Sequence, residues 1–71
     1  MYFENGKRFP EPKETKALVG KNIKYLQKRD IDHTGRGLFF PQYGTVEEVH
    51  GKNIMISGSW YWIPDFVEYE E

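Results

Sequence analysis

The chain has 71 residues and a mass of 8.5 kDa, which allows one small core, since a chain this short buries only about 60% of the surface it exposes when unfolded. Hydrophobic residues make up 38%, charged residues 30% and the net charge is -1, a balance that excludes both a chain kept disordered by excess charge and one embedded in lipid as apolar helices. The lack of cysteine excludes a disulfide scaffold and thiol chemistry, and it makes a reducing, cytoplasmic setting the expectation.

The uncharged runs that end before Glu47 and before Asp65 fall well short of the ~20 apolar residues a membrane-spanning helix needs. The opening residues, Met1-Tyr2-Phe3-Glu4-Asn5-Gly6, lead into no apolar stretch and do not read as a secretory signal. With aromatic content at 17%, from five Phe, five Tyr and two Trp, the core is expected to be built largely from rings.

Residues 1–20 read as an irregular N-terminal extension and residues 21–71 as the domain proper. Within the extension, Asn5-Gly6 between Phe3-Glu4 and Lys7-Arg8-Phe9 has the residue preference of a tight hairpin turn. Pro10-Glu11-Pro12 forbids regular pairing after it. Lys13 to Val19 is too short for a free helix but long enough for one docked turn.

From Gly20 onward, turn signals recur at short intervals. Asn22 to Gln27 reads as the first strand, with Ile23 and Tyr25 on one face. A long connection follows, through Thr34-Gly35-Arg36-Gly37, and Leu38-Phe39-Phe40 reads as an irregular strand ended by Pro41. In the next strand, Gly44 to His50, Val46 and Val49 are three apart, so a bulge near Glu47-Glu48 is needed to turn both inward. His50-Gly51-Lys52 reverses the chain into Asn53 to Ser57, and Gly58-Ser59 turns it again into Trp60 to Ile63. Pro64-Asp65-Phe66 interrupts that strand before Val67-Glu68-Tyr69.

Short strands and tight turns of this kind favour a small barrel. The order from Gly44 to Tyr69, namely a glycine-led strand, a tight turn, Ile54-Met55-Ile56, the aromatic strand and then Ile63-Pro64-Asp65-Phe66-Val67-Glu68, resembles the end of a Src-homology-3-like barrel. In that family a proline and a single helical turn precede a short closing strand. The resemblance implies an all-β fold, a small five-stranded barrel with an irregular N-terminal extension. It covers about a third of the chain and does not extend to the peptide specificity of the family. The stretch Ile23-Lys24-Tyr25-Leu26-Gln27 lacks the alanine-leucine-tyrosine-aspartate-tyrosine pattern of the proline-binding members, and the following loop, Lys28 to His33, is of mixed charge. Gly44-Thr45-Val46-Glu47-Glu48-Val49 is also similar to strands of ribosomal and transcription-factor barrels that bind nucleic acid.

Charge is divided along the chain. Residues 1–36 carry nine basic and five acidic side chains, net +4, whereas residues 37–71 carry Lys52 alone against six carboxylates, net -5. Lys21, Lys24, Lys28, Arg29 and Arg36 could form a basic stripe for phosphates or an acidic partner. Alternatively, pairing of the first and last strands would set Lys24 and its neighbours against Glu68 and Glu70. The pI near 6.1 favours the second arrangement over duplex binding.

No catalytic or metal constellation stands out. His33 and His50 are far apart, Asp30-Ile31-Asp32-His33 offers too few convergent ligands, and no glycine-framed motif supports Ser57 or Ser59 as a nucleophile. No enzyme activity, cofactor or metal is expected. Strand alternation puts Trp60 and Trp62 on one face and Tyr61 and Ile63 on the other, and one of those pairs must face outward. The expectation is an exposed aromatic surface of Trp60 and Trp62, joined by Phe39, Phe40 and Tyr43, that binds a protein partner or a second copy. The second expectation is nucleic acid on the basic stripe with rings stacked on bases. Tyr2, Phe3 and Phe9 would cover the outward pair in the opposing arrangement.

Overall fold

The computed structural model describes residues 2–35 and 37–71. Six strands form one antiparallel sheet: β1 (Lys7–Arg8), β2 (Asn22–Gln27), β3 (Gln42–His50), β4 (Asn53–Ile56), β5 (Ser59–Trp62) and β6 (Phe66–Glu70). Their order across the sheet is β1-β6-β2-β3-β4-β5. The fold is therefore all-β, but it has six strands where five were expected, because β1 of the extension adds to β6. The ladder is also open rather than closed into a barrel, with β1 and β5 as its two edges.

Strands β2 to β5 arise from residues suited to them. Ile23 and Tyr25 of β2 point inward and are buried, in line with their two-residue spacing. On β3 the register shifts between Val46 and Glu48, and this bulge brings both Val46 and Val49 into the core. The reversal between β4 and β5 uses Ser57 and Gly58, at φ 48° and 83°, one residue earlier than Gly58-Ser59. Positive φ at both central positions is the hairpin turn whose twist matches the flanking strands. Leu38 to Phe40 forms no strand; a single bridge joins Phe39 to Ile31 and ties the long β2–β3 loop to itself.

The core gathers Ile23 and Tyr25 of β2, Val46 and Val49 of β3, Ile54 and Ile56 of β4, and Phe66 and Tyr69 of β6, with Ile63 from the helical turn Ile63–Asp65. Phe9 and Leu18 enter it from the extension. The extension is ordered by these contacts and by one helical turn, α1 (Pro12–Thr15), which opens on proline and runs on through Lys16–Leu18.

The N-terminal hairpin is not what forms. A turn closes with the Gly6 N–H donating to the Phe3 carbonyl at 3.2 Å, but neither Asn5 nor Gly6 has positive φ, and β1 pairs with β6 through Lys7 with Tyr69 and Arg8 with Glu68. Gly6 serves a different purpose, since a Cβ there would push the Glu68 carboxylate from its place. That carboxylate accepts the Phe3 N–H at 2.7 Å and the Tyr2 N–H at 3.2 Å, while Glu70 accepts the Asn5 N–H at 2.9 Å. The turn thus covers the outer face of β2 and β6, where Leu26, opposite Glu68 in register, is fully buried. Among the described residues no helix is long and apolar enough to cross a membrane.

Candidate interaction surface

Of the two outward pairs allowed by alternation, the tryptophans face solvent. Trp60 is 49% and Trp62 52% exposed, whereas Ile63 is buried. The reason lies under Tyr61, whose ring meets Tyr25 and Phe66, both at 5.9 Å, edge to face. Core contact at Tyr61 sends its two neighbours outward. On that outward face Trp60 lies opposite Met55, and Trp62 opposite Asn53, which is itself opposite His50 on β3. The His50 ring stands 5.6 Å from that of Trp60, and its Nε2 lies 3.1 Å from Glu48 Oε1. His50, Asn53 and Trp60 line one open hollow.

Phe39, Phe40 and Tyr43 form a second group. Phe40 and Tyr43 are exposed, and Phe39 is half-buried beneath Tyr2 and Phe3, at 5.5 and 5.7 Å between ring centres. Tyr43 lies opposite Lys24, whose Nζ sits 5.6 Å from the Tyr43 ring and 5.4 Å from that of Phe3. Among the described residues no ring contact joins this group to Trp60 or Trp62. Tyr2 and Phe3 therefore lie against Phe39, and Phe9 against Phe66 and Tyr69, which leaves the tryptophans uncovered.

The basic residues are unequally engaged. Lys21 pairs with Glu71 at 2.8 Å and Lys24 with Glu70 at 3.4 Å, as pairing of the first and last strands implies. Glu68 is instead buried beneath the N-terminal turn. The hydrogen bond to Glu71, aided by its charge, raises the Lys21 ammonium above its ordinary value, and Lys21 in turn lowers the Glu71 carboxyl. Lys28 and Arg29 are exposed on the helical turn after β2 and make no ion pair among the described residues. Arg36 lies outside the described residues.

The groups tested for chemistry have structural partners. Asp32 accepts the Thr34 N–H at 2.8 Å, and hydrogen bonds from the Thr34 side chain and backbone hold its carboxyl below the ordinary value. Ser57 Oγ accepts the Thr45 N–H at 3.2 Å. Burial, with the Tyr61 phenol beside it, pushes the Tyr25 phenol well above its ordinary value, so it stays neutral. Among the described residues no group of three His, Cys, Asp or Glu could hold a metal ion.

His50, weighed from the sequence only as a ligand or base, and Asn53 flank the tryptophans, and strand register was the signal that could have placed them there. Compared with protein-family models, curated proteins and solved structures, the chain matches none. The fold and the surface define a small antiparallel β domain with a tryptophan pair beside an unpaired strand edge.

Proposed function

We infer that the chain is a small, non-enzymatic, cytoplasmic interaction module of Src-homology-3-like form that binds a protein partner or a second copy through its exposed aromatic surface. Trp60 and Trp62 are its centre, and Phe39, Phe40 and Tyr43 are a separate, lesser contact. The order β6-β2-β3-β4-β5, with Pro64 in a helical turn between β5 and β6, supports the barrel-like reading. The observation that carries the function is the half-exposure of two adjacent outward tryptophans, since Trp is among the residues that dominate binding energy at protein interfaces.

A nucleic-acid role draws support from Lys28 and Arg29, which are unpaired among the described residues, but Lys21 and Lys24 already hold carboxylates. Capture of partners from a cell extract at two salt concentrations separates the two. The aromatic reading expects a bound protein that persists at high salt and is lost with Trp60→Ala/Trp62→Ala. Phosphate contacts instead give binding that falls steeply with salt and is lost with Lys24→Glu/Arg29→Glu, and that pattern would overturn the aromatic reading.

A further inference from the structure

The two edges of the sheet are built differently. Edge β1 is two residues long and both are cationic, Lys7 and Arg8, the usual protection of an edge against pairing with another chain. Edge β5, Ser59-Trp60-Tyr61-Trp62, has no charge, no proline and no irregularity in its register with β4. Its exposed side chains are Ser59 and the two tryptophans.

The main chain of β5 can be phased. Ile56 and Ser59 flank a two-residue turn, so they form a hydrogen-bonded pair, and pairs alternate from there between bonded and non-bonded. Ile54 with Tyr61 is then bonded, while Met55 with Trp60 and Asn53 with Trp62 are not. The bond from the Ile63 N–H to the Lys52 carbonyl, 2.8 Å, falls where this alternation puts the next bonded pair. It follows that the N–H and C=O of both Trp60 and Trp62 point away from β4 to the open edge.

We propose that β5 pairs antiparallel with β5 of a second copy about a two-fold axis at Tyr61, joining two sheets into one with the four tryptophans clustered on its outer face. In this register Trp60 of each copy lies opposite Trp62 of the other. These are the positions whose main-chain groups face outward, so each facing pair exchanges two hydrogen bonds. The absence of charge on Ser59–Trp62 leaves no like charges opposed across the axis. Half-exposed, the four tryptophans supply roughly 400 Å² from an ordinary ring burial of 150–250 Å² each, well under the about 1,200 Å² of a stable interface. The dimer is accordingly weak and reversible.

This inference rests on the aromatic-surface reading above, and sedimentation of the whole chain from micromolar to millimolar, with amide exchange on the same samples, tests them separately. The expected result is a reversible monomer–dimer equilibrium in which exchange at the Trp60 and Trp62 amides slows about tenfold or more at high concentration. The Tyr61 amide, already bonded to β4, is unchanged. Trp60→Lys/Trp62→Lys abolishes the dimer, and Trp60→Lys/Trp62→Glu, which opposes unlike charges in this register alone, restores it. A dimer whose tryptophan amides still exchange freely, or one that survives Trp60→Lys/Trp62→Lys, overturns the proposal. A chain that stays monomeric with red-shifted tryptophan emission also overturns self-pairing but spares the aromatic reading, and an extended peptide becomes the occupant to test. Blue-shifted emission from the dilute monomer overturns both.

Discussion

Glu68 shows how much a single side chain arranges. It is 4% exposed and accepts two main-chain N–H groups of the N-terminal turn, and such charge-assisted bonds are stronger than neutral ones. Glu68→Gln keeps the volume but replaces one acceptor oxygen with a donor facing those N–H groups. It should cost about 1.5–3 kcal/mol, read as a lower denaturant midpoint with an unchanged slope, and an unchanged midpoint would show that the turn is not held this way. At the other end of β2, Lys21 and Glu71 predict a pH response of definite sign. Glu71 titrates below its ordinary 4.5, so its contribution is present above that value and lost as pH falls through the lowered one. Lys21 titrates above its ordinary 10.5, so its contribution is present below that and lost as pH rises through the raised one. NMR titration should find both shifts, find them reduced by salt because the pair is exposed, and find Lys21 restored toward 10.5 in Glu71→Gln.

Among the elements, those with local signals were legible and those made by distant partners were not. The β3–β4–β5 meander follows from Gly51, from alternation and from the odd spacing of Val46 and Val49, which demanded the bulge that is present. β1 could not be read this way. Lys7-Arg8 carries no strand pattern, and its partner β6 is at the far end of the chain. Asn5-Gly6 misled because its glycine serves close approach to Glu68 rather than a positive φ. Alternation narrowed the aromatic site to two choices, and contacts of Tyr61 with Tyr25 and Phe66, remote in sequence, made the selection. The extension also supplies core: Phe9 is buried against Phe66 at 4.4 Å between ring centres. Phe9→Ala should therefore cost about 3–5 kcal/mol, while Phe40→Ala, at an exposed loop position, should stay within about 0.5 kcal/mol. Equal effects in thermal or chemical unfolding would contradict this division between core and surface.

For the whole molecule, the opposed charges of the two halves of the chain meet within the fold. β2 lies beside β6, and Lys21 and Lys24 hold Glu71 and Glu70, so much of the asymmetry in the sequence is neutralised internally. At the β5 edge what stays open is apolar, the faces of Trp60 and Trp62. The chain has two tryptophans, and both are on β5, so its emission reports directly on the surface that carries the account. The most direct measurement is tryptophan fluorescence with a neutral quencher on the dilute monomer. Red-shifted emission open to the quencher is the predicted result; blue-shifted emission shielded from the quencher would contradict the claim that Trp60 and Trp62 stand ready in water.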